Sequence, residues 1–189
     1  MRPRPAALHT AGMLIRRERP DDVEAIAAVH RAAFAEHQPG ETTRPAGEPM
    51  EVGLVARLRA SEAWLPALSL VAEIDGEIRG HVCLTRATVA GRPALALGPI
   101  GVPPEHKGHG IGAALMHAVL GAADALDEPL VALLGHLDYY PRFGFVPGST
   151  LAVDPGVPDW VSHFQIRTLS AYTPDLAGEF RYAEPFYEE

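Results

Sequence analysis

Lys107 and three glycines at alternate positions, Gly108, Gly110 and Gly112, stand between an apolar stretch ending at Val102 and an Ala-rich run. Glycines there let backbone N–H groups approach a ligand closely, because no Cβ stands in the way. If the Ala-rich run is a helix, its start adds N–H donors with no helical partner and the positive end of a dipole. Lys107 contributes a cation. Such a combination makes an anion site, most often for phosphate. Residues 107–112, with His109 and Ile111 between the glycines, are therefore candidates for holding a phosphate-bearing ligand.

The surrounding elements must position that loop. Residues 13–18 read as a first strand, stopped by Pro20 and Asp21. Asp21 is expected to cap the next helix, with Glu24 three residues on as in a capping box. Val23, Ile26, Ala27, His30, Ala33 and Phe34 then recur at helical spacing. Residues 37–49, rich in Pro, Gly and Thr, read as a loop, and residues 50–60 as a second helix. A strand over 68–74 meets Asp75-Gly76, a strong hairpin signal, and a long partner follows from 77 to about 89. Ala90-Gly91-Arg92-Pro93 makes another turn before a third antiparallel strand over 94–102. After Gly110, Ile111, Ala114, Leu115, Ala118, Val119, Ala122 and Leu126 form one helical stripe. Residues 130–134, between Pro129 and Gly135, read as a buried strand, parallel to its neighbour because a helix connects the two. Residues 139–145 (YYPRFGF) read as a short helical or turn segment, with strand-like stretches at 160–168 and 178–182. The expectation is one α+β domain over 13–189, preceded by a disordered tail over 1–12, with Met13 an alternative start.

Composition narrows the function classes. Of 189 residues, 47% are apolar and 21% charged, ordinary for a soluble protein with a real core. The net charge of −8 argues against a broad nucleic-acid surface, which needs clustered Lys and Arg. No run approaches the ~20 apolar residues of a membrane span, and the N-terminus lacks a secretory apolar segment. The single cysteine, Cys83, allows no internal disulfide, which suits a reducing, cytoplasmic compartment. It lies in an apolar strand pattern and reads as a small buried hydrophobe. His106 and His109 are three apart, but a metal site needs more ligands and groups to orient them, so none is expected.

Three readings of the glycine loop compete. Gly108-x-Gly110-x-x-Ala113 matches the loose G-x-G-x-x-G/A dinucleotide pattern, but that pattern belongs directly after a strand early in a βαβ unit. Here Pro103 to Lys107 intervene and two hairpins precede. No Walker string exists in the chain. A plain strand-to-helix turn is the ordinary reading, yet it does not need three glycines in five residues. Gly112 costs ~1 kcal/mol relative to Ala within the first helical turn. In the third reading, Lys107-x-x-Gly110-x-Gly112 resembles the Arg/Gln-x-x-Gly-x-Gly/Ala loop of the GNAT superfamily of N-acetyltransferases. The elements around it resemble that family too: LGPIGV running into V-P-P-E, the Ala-rich helix, LLGH, and Tyr139-Tyr140-Pro141-Arg142-Phe143-Gly144-Phe145. The resemblance covers about residues 13–145. Two departures stand out. Lys107 occupies the usual Arg or Gln position, a cation without a planar fork. The strand 94–102 contains no carboxylate where many relatives carry the base, and the nearest acid, Glu105, sits in the loop.

The resemblance implies a GNAT-like mixed, mostly antiparallel sheet flanked by helices, with a splayed parallel strand pair holding acyl-CoA. It implies transfer of an acetyl group from acetyl-CoA to a primary amine by direct attack. The pyrophosphate would lie on the amides of Gly108, His109, Gly110, Ile111 and Gly112 beside Lys107. The pantetheine arm would add like a strand to Ile100, Gly101 and Val102. Motif position makes Tyr140 the acid for the leaving thiolate, with Tyr139 a packing residue. Candidates for the base are His136, Asp138, Glu36, His37 or a water chain. The acceptor would be a small-molecule or protein amine. The rival reading is a non-catalytic acyl-CoA-binding sensor or interaction module on the same fold, since fold alone does not prove catalysis. The tail beyond Ser149 lies outside the motifs, with closure over the acceptor cleft or a homodimer contact as its expected roles.

Overall fold

A computed structural model describes residues 12–35 and 47–188. The tail expected over 1–12 lies, except for Gly12, outside the described residues, as do Glu36, His37 and most of the loop expected at 37–49.

The chain runs β1 (Met13–Arg17), α1 (Val23–Phe34), α2 (Met50–Ala60), β2 (Trp64–Ile74), β3 (Glu77–Val89) and β4 (Arg92–Gly101). It continues through α3 (Ile111–Ala125), β5 (Leu130–Leu134), β6 (Val146–Pro147), β7 (Val153–Asp154), β8 (Phe164–Thr168) and β9 (Gly178–Arg181). The main sheet has the order β1-β2-β3-β4-β5-β8-β6, with β9 on the far end of β3 and paired with β7. Pairing is antiparallel except for β4 with β5 and the short β7 with β9. The mixed, mostly antiparallel sheet expected from the sequence is present, and β5 runs parallel to its neighbour across the α3 crossover.

Side-chain alternation along the strands builds two faces. On one face, Leu68, Leu70, Ala72, Val82, Leu84, Leu95, Leu97, Val131 and Leu133 pack under α3. On the other, Val71 packs with Ile26 of α1 and Val55 of α2. Further along that second face, Ala94, Ala96, Leu130 and Ala132 are covered by Phe164, Ile166, Phe180 and Tyr182. The segment after Ser149 thus builds sheet and core.

Both hairpins turn on two residues with positive φ, Asp75-Gly76 and Ala90-Gly91, so β4 starts at Arg92 rather than at Ala94. It ends at Gly101, leaving Val102 just beyond the strand. The strand expected at 68–74 begins at Trp64, its pairing interrupted between Trp64 and Ser69 around Pro66, which has no N–H to give to a ladder. The aspartate at the start of α1 that makes polar contacts is Asp22, not Asp21. Its carboxylate accepts from the Arg19 N–H at 2.7 Å and from Arg16 at 2.7 and 3.0 Å. In α3 the buried residues are Ile111, Leu115, Met116, Val119, Leu120 and Ala123, while Leu126 caps the helix end and is exposed. Residues 158–163 form a 3₁₀ turn, so the tail strand begins at Phe164 rather than near Trp160.

Candidate active site

The parallel ladder between β4 and β5 is only two pairs long: Leu95 with Val131 and Ala96 with Ala132. β4 continues beyond it on the β3 side alone. There the register shifts between Val82 and Leu84 of β3, so that Ile100 lies opposite Val82 and Gly101 opposite His81. A shift of this kind is a bulge, which bends a strand and ends pairing on one side. Pro99 falls at that point and has no N–H to offer. The two strands therefore part at their carboxyl ends, where open sheets bind ligands. The backbone of Ile100 and Gly101 faces the gap.

β4 leads through a 3₁₀ turn at Pro104–His106 into the glycine loop. Gly108 and Gly110 have φ of +80° and +81°, a conformation that L side chains rarely adopt. Nothing would meet a Cβ within 4 Å at either, so the loop's outer side is open. The first bond of α3 runs from the Ala114 N–H to the Gly110 carbonyl at 2.9 Å. The amides of Ile111, Gly112 and Ala113 are accordingly left without helical partners, aimed along the positive end of the dipole. Lys107 is exposed beside them, and His109 Nδ1 lies 3.2 Å from the His106 carbonyl oxygen. Among the described residues, no group of three or more His, Cys, Asp or Glu side chains comes together as a metal site would require.

On the β5 side, the 3₁₀ turn Tyr140–Phe143 folds back beneath the strand end. The Tyr140 ring presses against Gly135, the residue after β5, and meets Tyr139 and Phe145 edge-on at 5.1 and 5.9 Å. Gly135 is pinned in turn, its N–H bonded to the His163 carbonyl and its carbonyl accepting from Gln165. Tyr140 is buried and its hydroxyl has no hydrogen-bond partner among the described residues; burial pushes the phenol up to about 12. It is therefore a proton-bearing group throughout the physiological range. Tyr139 packs as expected, under the Arg142 guanidinium at 4.5 Å, but its hydroxyl also reaches α3: a Cβ at Gly112 would lie 3.0 Å from it. His136 and Asp138 lie exposed in the loop after β5, and Glu105 is exposed in the turn before Lys107.

A polar chain that the sequence patterns did not single out crosses the opposite face of the sheet. His30 of α1 and His81 of β3 are both fully buried, with His30 Nε2 2.8 Å from His81 Nδ1. His81 Nε2 lies 2.9 Å from Ser69 Oγ, which donates to Glu18 at 2.5 Å. Arg59 donates to the same carboxylate at 2.6 Å. Burial would raise Glu18, but hydrogen bonds from His81, Arg59 and Ser69 outweigh it and hold the carboxyl near about 2. Burial lowers both histidines, His30 well below its ordinary value. The far end, His30 Nδ1, is enclosed without a hydrogen-bond partner among the described residues, and a Cβ at Gly101 would lie 2.8 Å from it. A histidine on the apolar stripe of α1 and another in an otherwise apolar strand were the available signals. Neither shows in sequence that it meets the other.

Residues 33–145 match the acetyltransferase (GNAT) family model. An uncharacterised N-acetyltransferase of Escherichia coli K12, YjhQ, is 36% identical over 154 residues, covering 76% of this chain and 83% of that protein. Among solved structures, the GNAT-family N-acetyltransferase YhbS of E. coli, crystallised with CoA, superposes with a TM-score of 0.82 at 26% identity, covering 100% of this chain and 97% of that one. A GNAT-family acetyltransferase of Brucella melitensis, crystallised with acetyl-CoA, gives 0.71 at 32% identity over 92% and 97%. With a family model spanning the glycine loop and the Tyr140 segment, and with relatives matched over most of their length, this chain belongs to the GNAT family of acetyltransferases.

Proposed function

We infer that the protein is an N-acetyltransferase that uses acetyl-CoA and delivers the acetyl group to a primary amine by direct attack. The observation that carries this reading is the parting of β4 from β5, which opens the Ile100–Gly101 edge and leads straight into the unpaired amides at the start of α3. A strand edge suits the amides of a pantetheine arm, as an added β-strand would. The helix start suits its pyrophosphate, with Gly108, His109, Gly110, Ile111 and Gly112 supplying N–H groups and Lys107 a charge. Helix-end electrostatics give only ~0.3–1 kcal/mol per exposed interaction, whereas micromolar affinity needs about −8 kcal/mol. The strand-like contact at Ile100, Gly101 and Val102 supplies the larger share.

The amine must arrive neutral, and for a lysine-like amine of pKa ~10.4 that costs about 4–5 kcal/mol at pH 7. Attack on the thioester carbonyl builds charge on its oxygen, which a backbone N–H at the open edge of β4 stabilises. The C–S bond then breaks. Tyr140, protonated and without a competing protein partner, donates to the leaving sulfur from the β5 side.

The test is a thermal-shift titration with acetyl-CoA, with NADH and ATP as controls, followed by a free-thiol assay across a panel of small amines and lysine peptides. Saturation at about 100 Kd stabilises a protein by ~2.7 kcal/mol. Selective stabilisation by acetyl-CoA with amine-dependent CoA release supports the reading. Binding without turnover on any amine replaces it with a sensor of acyl-CoA, and stabilisation by NADH instead overturns the ligand.

A further inference from the structure

The chain of hydrogen bonds from Glu18 to His30 has a direction. Glu18 is ionised and paired with Arg59, so it can only accept. Ser69 Oγ must then donate to it, which leaves the hydroxyl oxygen to accept from His81 Nε2–H. With its proton on Nε2, neutral His81 presents a lone pair at Nδ1, and that lone pair accepts from His30 Nε2–H. Neutral His30 is left with a lone pair at Nδ1. One carboxylate at the edge of the sheet thus sets the tautomers of two buried histidines and points every hydrogen away from Gly101. The atom at the other end is a lone pair with no hydrogen-bond partner among the described residues, pressed against the strand whose free edge faces the β4–β5 gap.

We propose that His30, backed by His81, Ser69 and Glu18, is the proton acceptor of the acetyl transfer, taking the proton from the attacking nitrogen and passing it along the chain toward Glu18. This rests on the N-acetyltransferase reading above. The amine forms its C–N bond with the thioester carbon, and its N–H proton goes to His30 Nδ1. The Nε2 proton of His30 moves to His81 Nδ1, that of His81 Nε2 to Ser69 Oγ, and the serine proton to Glu18. The C–S bond breaks and the sulfur takes the Tyr140 proton. The proton on Glu18 then runs back through Ser69 and His81, restoring both Nε2–H tautomers, and leaves from His30 Nδ1 to solvent as solvent reprotonates Tyr140, so no proton is gained or lost. Burial keeps both rings unprotonated between turnovers, so the chain stays ready to accept and does not retain the charge. The charged and titratable groups around it are Arg59 from α2, Glu18 after β1 and Asp22 before α1, with the two histidines themselves. A base carried by α1 and β3 also accounts for the lack of a carboxylate along β4.

The first measurement is the tautomeric state, read by long-range ¹H–¹⁵N correlation on the whole protein at pH 7. Both rings should carry hydrogen on Nε2 and none on Nδ1; a hydrogen on Nδ1 of either overturns the proposal without any assay of activity. The second is kinetic. In His30→Gln the chain loses its base, and kcat/KM should fall about 10²-fold or more while the acetyl-CoA thermal shift is kept. In His30→Ala, added imidazole should restore part of kcat, which a purely structural histidine would not show as a rate that tracks the imidazole free-base fraction. If His30→Gln does not fold, Ser69→Ala interrupts the chain at its middle and should lower kcat several-fold with KM for acetyl-CoA unchanged. Wild-type turnover matched by these variants overturns the relay alone. A wild-type protein that releases no CoA with any amine overturns the transferase reading, and the relay with it.

Discussion

Tyr140 combines burial with an unshared hydroxyl, and the two have separable consequences. Removing a hydroxyl that has no hydrogen-bond partner among the described residues leaves nothing unsatisfied, so Tyr140→Phe should keep the thermal midpoint or raise it slightly. Its effect should fall on kcat, with a loss of about 10²-fold, and acetyl-CoA affinity should not move. Stopped-flow thiol release beside calorimetric titration checks both. The buried histidines make a second prediction. Their folded pKa values lie below the unfolded value of about 6.5, so below that pH the unfolded chain takes up protons that the folded chain refuses. Stability is therefore complete above about pH 6.5 and is lost as pH falls, by up to ~1.4 kcal/mol per unit for each histidine. Glu18, with its folded value lowered, acts in the same direction in a lower window, from its unfolded range near 4.5 down toward 2. Denaturant titrations between pH 7 and 5 should show the histidine slope, and His30→Gln should reduce it to about half. Cys83 belongs to the same buried layer, and burial pushes its thiol up to about 12. It should resist thiol reagents in the native protein and react only on unfolding.

At the level of elements, the end of β4 has α1 on one side and the β4–β5 gap on its free edge. Gly101 makes that approach possible, since a methyl there would lie 2.8 and 3.1 Å from His30 Nδ1 and Cε1. Gly101→Ala should cost about 1–3 kcal/mol through overpacking and should also lower turnover, because relieving the clash moves either the strand edge or the imidazole. The glycine loop responds differently. The Lys107 side chain is exposed and has no hydrogen bond or ion pair among the described residues, so Lys107→Ala should weaken acetyl-CoA binding by roughly tenfold or less with no change in melting temperature of the free protein. A change confined to affinity for the pyrophosphate-bearing ligand is what isothermal titration should record, and pantetheine alone should bind the variant as well as it binds the wild type.

At the scale of the molecule, β5 is the strand whose hold on the sheet is divided. It shares two residue pairs with β4 but five with β8, Leu130 with Thr168 through Leu134 with Phe164. The gap stays open because β5 is held from outside. β8, β9 and their aromatic cluster also cover the second face of β4 and β5, where Phe164, Phe180 and Tyr182 are buried. A chain ended after Ser149 keeps every family motif yet should fail to fold, exposing Ala94, Ala96, Leu130 and Ala132. Solubility and circular dichroism of that truncation decide the matter. No helix among the described residues is long and apolar enough to cross a membrane.

Local rules were enough for much of this protein. Positive-φ pairs at Asp75-Gly76 and Ala90-Gly91 placed the hairpins, apolar periodicity placed α1, α2 and α3, and the crossover helix required β5 to run parallel to its neighbour. The spacing of Lys107, Gly110, Gly112 and Tyr140 was legible for the same reason: a tight loop and a helix start are written in consecutive residues. The base was not. His30 and His81 are 51 positions apart, Ser69 and Glu18 also 51, and each alone reads as one polar residue in an apolar or strand pattern. A hydrogen-bonded chain between distant segments leaves no periodicity, and its direction depends on a carboxylate at the far end of it. The role of the tail was hidden likewise, because strand pairing between β5 and β8 is a non-local choice made by burial. A loop and a helix start built by neighbours in sequence could be read from the sequence. Chemistry and support assembled across the sheet came into being only when the sheet closed.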